Sequence, residues 1–590
     1  MSTNGKDGPD GKRRDLLKAG VAAGVGAVTG GWGGIAAATG RGHDDDRGRK
    51  RRGYETLVLA NGRIYTMDRH NTIASSVTIR NGKFVHVGHG HGHGDGEGVK
   101  VINLRGHAVV PGLVEPHVHS VSLANRPGYH TILENTTTIR EIQEALAARR
   151  RDVPLGQWIT SMGGWHPNQW VDVRRRPTLA ELDAAVSDRP VFLYERFTGP
   201  AVTNSLGKKY FDAVDAGPLP HPDAVKINVA ADGTIATGGF GVPTPATTAL
   251  YVLRSLQTPA DKRRSALDMM AYSTSVGLTS HLDQVLFPTP GPLHPSQVLS
   301  NLDHYRMYDS LLQLHREGKT TIRMQLNFLH NQNDPALPEL TERLKNQFQF
   351  FGDDMMMTGS IGEWAAPIGA GPVWFEAQRR VAAARWRNEN SVQTLAQLQQ
   401  VVEAYEAMER EFGIKGLRWM VHHVPFVTDD LLTRLKNIGC AVQMAGYRWV
   451  ASGPADTGVG APFRQIVDHG IRVGLHGDGA HIAPLSPWPH IYYVTTGRNS
   501  WGAQVNAGQQ LTRHEALRLF TRDNPWFMRM EDKIGTIEEG KLADLAVLNN
   551  DYFRVKDEDI KKLRSVLTVV DGQVVHDAGV LKSDGHGRHG

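Results

Sequence analysis

Between residues 111 and 534 the chain alternates short apolar runs with helix-like segments, and this alternation restricts its fold more than any other feature. The runs are PGLVEP (111–116), RPVFLYERF (189–197), GLTSHLDQV (277–285), TIRMQLNFLH (321–330), LRWMVHHV (417–424), CAVQMAG (440–446) and IRVGLHGD (471–478). Capping-box pairs open helices between them, with Thr138 and Glu141, Thr178 and Glu181, and Thr512 and Glu515 at the required spacing. Gly439 and Gly470 precede two of the runs, where a helix C-terminus belongs. Strands separated by helices pack as a parallel sheet covered by helices, and the closed form is a (β/α)8 TIM-like barrel. An open doubly wound sheet is the alternative, but no glycine-rich phosphate loop follows the first run.

The two ends read differently. YETLVLANGRIYTMD and SVTIRNGKFVHVG alternate apolar and polar residues around Asn-Gly pairs at 61–62 and 81–82, which predicts β-hairpins. GTIEEGKLADLAVLNND (535–551) and SVLTVVDGQVVHDAG (565–579) are of the same type. A small β-domain built from both ends, 54–110 and 535–580, is therefore expected around a barrel of residues 111–534. The insert GHGHGHGDGEG (88–98) and the tail 581–590 read as flexible glycine-histidine segments.

The net charge of +5 is local: residues 1–53 hold 11 of the 66 Lys+Arg and 6 of the 61 Asp+Glu, which leaves 55 of each in the rest. A neutral folded region argues against a nucleic-acid partner. In the leader, Arg13 and Arg14 precede Leu16, Leu17 and Lys18, a Gly/Ala-rich run and Ala36-Ala37-Ala38. This resembles a twin-arginine export signal over 1–38, with a charged linker over 39–53, and predicts a periplasmic protein that meets the twin-arginine machinery. The single cysteine, Cys440, rules out an internal disulfide.

On a barrel the chemistry sits at the C-terminal ends of the strands. There the chain places His117 and His119, His281 with Asp283, His330, His422 and His423, and Asp478 flanked by His476 and His481. Residues i and i+2 of a strand share a face, so His117 and His119 point into one space. Such a convergence of imidazole and carboxylate suits zinc or a similar divalent ion.

PGLVEPHVHS, GGWHPNQW with ELDAAVSDRPVFL, GLTSHLD, VHHV, HGDG and GTIEEGKLADLAVL together resemble the amidohydrolase superfamily, particularly its amidohydrolase-3-type branch, over 54–579. The resemblance implies a barrel with an accessory β-sandwich built from both chain ends, and a metal-dependent hydrolase of non-peptide C–N bonds, amide or cyclic amide, using a metal-activated water. It carries over onto His117, His119, His423 and Asp478 as ligands, with Asp478 also the catalytic base. Two family positions depart: Asp354 stands where a bridging lysine is usual, and Ser391 where the fifth-strand histidine is usual. One reading is a single zinc; a second adds another ion through His281, His330, Glu363 or Asp354. A third is a degenerate barrel that binds a periplasmic ligand without turnover, and a lyase, deaminase or esterase on the same scaffold is the further rival. Trp165, Trp170, Trp364, Phe426, Tyr447, Trp449 and Trp488 suggest a small-molecule substrate with a bulky or aromatic group. His166, His481 or Arg448 are candidates to polarise its carbonyl. Replacing Arg13 and Arg14 by lysine is expected to leave full-length protein in the cytoplasm, which cell fractionation would read directly.

Overall fold

The computed structural model describes residues 56–90, 98–196, 198–218, 224–238, 244–285, 307–446, 461–479 and 482–581. The leader and linker, most of the glycine-histidine insert, nearly all of the tail, and Tyr447, Arg448, Trp449 and His481 lie outside them. Eight parallel strands form two sheets of four. One holds β1 (Leu113–Val118), β2 (Leu278–Asp283), β3 (Arg323–Phe328) and β4 (Met356–Ile361). The other holds β5 (Glu389–Ser391), β6 (Met420–His423), β7 (Ala441–Ala445) and β8 (Val473–His476). Neighbours follow chain order, and most strand residues are buried on both faces, as a helix-covered parallel sheet requires.

The two sheets meet at two seams. Ile361 forms a parallel bridge with Asn388, its N–H donating to the Arg387 carbonyl at 3.1 Å. Between β1 and β8 no backbone ladder forms among the described residues, and side chains span the gap. Asn524 Nδ2 donates to the carbonyls of Val114 and Leu475, each at 2.8 Å, and its Oδ1 accepts from the Leu475 N–H at 3.2 Å. Glu115 on β1 accepts from the Gly477 N–H at 3.0 Å. The arrangement is TIM-barrel-like, with one seam stitched by side chains instead of a continuous ladder.

Thr178 and Thr512 make the expected reciprocal caps, and the Thr138 hydroxyl accepts from the Glu141 N–H. Gly439 and Gly470 take left-handed φ of 72° and 71° after their helices. The run RPVFLYERF, however, stays out of the barrel. Val191–Tyr194 belongs to a separate five-stranded sheet inserted between β1 and β2. Ala201–Thr203 folds back antiparallel onto it after a short connection, so no helical crossover returns the chain to the barrel.

Strands from the two chain ends occupy one six-stranded sheet, with 545–548 pairing to 108–111, and a four-stranded sheet lies against it. Leu59, Ile79, Val109, Val547 and Leu567 share the apolar cluster between them. Asn81-Gly82 closes the expected two-residue hairpin, with φ of 50° and 76° and Arg80 paired to Lys83. Asn61-Gly62 does not close one. It passes the chain from one sheet to the other, and a Cβ on Gly62 would meet Leu104 Cδ1 at 2.5 Å. Buried Arg323, at the start of β3, holds Asp544 through Nε and a terminal nitrogen at 2.7 and 2.9 Å, tying this unit to the eight strands. Among the described residues no helix is long and apolar enough to cross a membrane.

Asn524→Ala is expected to strand three buried backbone groups at the β1–β8 seam. A loss of about 1–3 kcal/mol should appear as a lower denaturation midpoint.

Candidate metal centre

β1 ends by presenting His117 and His119, and the loop after β4 presents Glu363. β6 ends in His423, and Asp478 follows β8. All five side chains are buried. Asp478 is central: its Oδ1 lies 3.6 Å from His117 Nε2 and 3.4 Å from His119 Nε2, and its Oδ2 lies 3.4 Å from His423 Nε2. Glu363 Oε1 is 3.9 Å from both His117 Nε2 and His423 Nε2, and its Oε2 is 3.7 Å from His119 Nε2. Donors held about 2.0–2.2 Å from a tetrahedral zinc stand about 3.3–3.6 Å apart, so most of these separations are near those of ligands around one ion.

The backbone bends to make this convergence. Adjacent strand residues face opposite sides, yet the rings of His422 and His423 lie 4.6 and 5.1 Å from that of His117. His423 and Val424 leave the strand with φ of 69° and 39°, and Asp478 has φ of 55°. Left-handed backbone at non-glycine residues costs about 1–3 kcal/mol each and persists where the surroundings over-determine it.

His119 Nδ1 donates to the Val285 carbonyl at 2.6 Å, which turns Nε2 towards the carboxylates. Gln393 holds Nδ1 of His423 at 2.5 Å. Burial works against a charge on His119, but Asp478 and then Glu363 overcome it and raise its pKa to about 9. Burial likewise opposes ionisation of Asp478, yet contacts with His119 and His423 hold its pKa well below the usual range. Burial raises Glu363, and burial together with His476 and His422 drives His117 well down. His117 Nε2, Glu363 Oε2 and Asp478 Oδ1 are buried without a hydrogen-bond partner among the described residues. Buried atoms of that kind call for an explanation, and a donor set of imidazole nitrogen and carboxylate oxygen fits zinc.

The other sequence candidates fall elsewhere. His281 faces the Ser120 hydroxyl at 2.7 Å, and His330 Nδ1 lies 3.8 Å from Glu339. Neither joins the donor groups that converge within 4.8 Å among the described residues, which are His117, His119 and Glu363, and His117, His423 and His476. Asp354 precedes β4, at the opposite end of the strand from Glu363, and pairs with Lys533 at 2.6 Å, so it is no substitute ligand. Ser391 ends β5, where its hydroxyl neighbours Glu363. Trp165 stacks on Trp170 at 5.5 Å inside an apolar cluster, which makes both of them packing residues. His166 caps the turn 167–169 by accepting from the Asn168 N–H, and burial, with Arg196 and Arg176, lowers its pKa to about 4.

Three further residues surround the centre: His422 and His476, which the sequence placed at strand ends without a ligand role, and Glu389, which it did not single out. The His476 ring packs 4.5 Å from that of His117. His422 Nδ1 sits 2.7 Å from His117 Nδ1, with Glu389 behind it. The paired histidines of VHHV were the available signal, but Glu389 reaches them only through the fold.

Metal-free protein should carry a proton on His119 at neutral pH, and metal uptake must expel it. Zinc affinity is therefore expected to rise with pH from 6 to 9, in a chelator competition. A flat profile would contradict the raised pKa.

A family model described as the amidohydrolase family matches residues 100–576, and the chain belongs to that family, hydrolases acting on carbon–nitrogen bonds. It is 23% identical over 554 residues to an N-substituted formamide deformylase of Arthrobacter pascens, covering 88% of this chain and 97% of that protein. It is also 23% identical over 556 residues to the putative amidohydrolase YtcJ of Bacillus subtilis, covering 88% of this chain and 98% of that one. Among solved structures, an uncharacterized metal-dependent hydrolase from Pyrococcus furiosus superposes with a TM-score of 0.53 at 20% identity, over 85% of this chain and 100% of that one. The zinc complex of atrazine chlorohydrolase TrzN from Arthrobacter aurescens TC1 gives 0.51 at 15% identity, over 88% and 95%.

Proposed function

We propose that this amidohydrolase uses one zinc ion, held among His117, His119, His423, Glu363 and Asp478, to hydrolyse a non-peptide amide or cyclic amide carrying a bulky or aromatic group. The observation that carries the reading is the convergence of five buried side chains from β1, β4, β6 and β8, three of whose facing atoms have no other partner. A single ion is favoured because both convergent donor groups need His117. Its Nδ1 is engaged by His422, so one lone pair remains, and one lone pair serves one ion.

Bound there, zinc would supply Lewis acidity, polarising the carbonyl and lowering the pKa of water to about 7. Asp478, ionised at neutral pH, takes the proton from the attacking water as the C–O bond forms. It then passes that proton to the nitrogen as the C–N bond breaks. The His423 ring, whose Nε2 is 3.4 Å from Asp478 Oδ2, borders the carboxylate during both transfers. Burial keeps bulk water from competing with the placed nucleophile. Likeness to the formamide deformylase makes N-substituted formamides the first substrates to try. The leader is read as a twin-arginine signal that delivers the enzyme to the periplasm, and the two sheets of 56–111 and 545–577 as its accessory β-sandwich.

Elemental analysis of protein purified without a tag, with the insert 88–98 and the tail removed in a control, should find about one ion. His117→Ala/His119→Ala should lose it. Asp478→Asn should keep the ion and lose about 10²–10⁴-fold in kcat. No ion after reconstitution would overturn the metal reading, and full turnover in Asp478→Asn would remove its role as base.

A further inference from the structure

Behind the ligands, a line of buried polar groups leads to His117. Glu389 Oε1 accepts from the Ser360 hydroxyl at 2.5 Å and from Arg387 at 3.1 Å. Its Oε2 accepts from Gln284 at 2.8 Å and from Asn327 at 2.9 Å. The same Oε2 stands 3.0 Å from His422 Nε2, and neither His422 nor Glu389 is exposed to solvent. His422 Nε2 makes no hydrogen bond of good geometry among the described residues, so the carboxylate acts on it through its charge. On its other side, His422 Nδ1 lies 2.7 Å from His117 Nδ1.

Two ring nitrogens at that distance need one proton between them, and the far side of His422 decides whose it is. A carboxylate only accepts, so it holds the His422 proton on Nε2 and leaves Nδ1 as a lone pair. His117 must then donate from its own Nδ1, which leaves its Nε2 lone pair directed at Glu363 and Asp478. The opposite order would put a proton on the His117 nitrogen that faces the carboxylates.

We infer that Glu389 and His422 are positioning residues: they fix the tautomer of His117 so that Nε2 is the donor to the ion. This rests on reading the cluster as a metal centre, though the tautomer itself exists without metal. His119 obtains the same result from a single carbonyl, that of Val285. His117 has no carbonyl at its Nδ1, and the imidazole–carboxylate pair takes that place.

The test is a long-range proton–nitrogen NMR spectrum of the metal-free, full-length protein carrying ¹⁵N-histidine, with the His117 signals identified by their loss in His117→Ala. The wild type should show His117 protonated on Nδ1 alone. In His422→Phe, Glu389 keeps its four other donors, so the protein should still fold. The His117 signals should then shift towards a mixture of tautomers, and zinc affinity by chelator competition should fall about 10–100-fold. An Nε2-protonated His117 in the wild type overturns the inference whether or not the variant folds. So does a variant with unchanged His117 signals and unchanged zinc affinity. Wild type with the expected tautomer but no zinc uptake would support the positioning chain and sink the metal reading.

Discussion

Three imidazoles and two carboxylates removed from water around one point form the constraint on which the rest of this structure depends. Carboxylates are costly to bury unless paired, and here two of them face each other's neighbours across less than 4 Å. The chain's own response is to recruit a proton onto His119, whose pKa rises to about 9. A divalent ion answers the same demand more fully, because it neutralises both carboxylates and uses the lone pairs of neutral rings. The left-handed backbone at His423, Val424 and Asp478 belongs to the same arrangement. Those residues leave their strands in a conformation that β-branched Val424 in particular avoids, and the packing around them holds them in it.

The β1–β8 seam carries the consequences of this crowding. β1 ends in two imidazoles and β8 leads to Asp478, so the strands that supply most of the centre are neighbours without a ladder between them. Asn524 and Glu115 replace the missing backbone pairs. Glu115 also accepts from the His117 N–H at 3.3 Å, so one buried carboxylate ties the backbone of His117 to the strand opposite. Burial raises its pKa well above the ordinary range, and the two N–H donors offset this only in part.

Much of this was legible in the sequence, where apolar runs ended abruptly in His or Asp. A run that stops on two imidazoles marks both a strand and what the strand presents. His117, His119, His423 and Asp478 stood among the residues noted on that basis; the family resemblance singled them out, and Glu363 entered from its closeness to a family position. Where the reading went astray, the physics was non-local. Asp354 was placed by counting along a motif, but β4 starts after it, which leaves it at the wrong end beside Lys533. Trp165 looked like a pocket wall, and only its partner Trp170 reveals it as packing. RPVFLYERF has the composition of a barrel strand, and its fate was decided by a return strand seven residues on. Asn61-Gly62 has the local chemistry of a hairpin turn, yet its flanking strands found partners in different sheets. Glu389 was invisible for the same reason: nothing near it in sequence says that four donors and an imidazole surround it.

The five-stranded excursion between β1 and β2 pairs with itself and, among the described residues, with no strand of the eight. It meets the segment after Asp478 at a few points: Glu134 accepts from the backbone N–H groups of Leu485 and Ser486, and the Asn168 carbonyl accepts from the Ser500 hydroxyl at 3.2 Å. Changes in the length of such an insertion leave intact the ladders behind His117, His423 and Asp478, a division of labour between a separable excursion and a fixed floor.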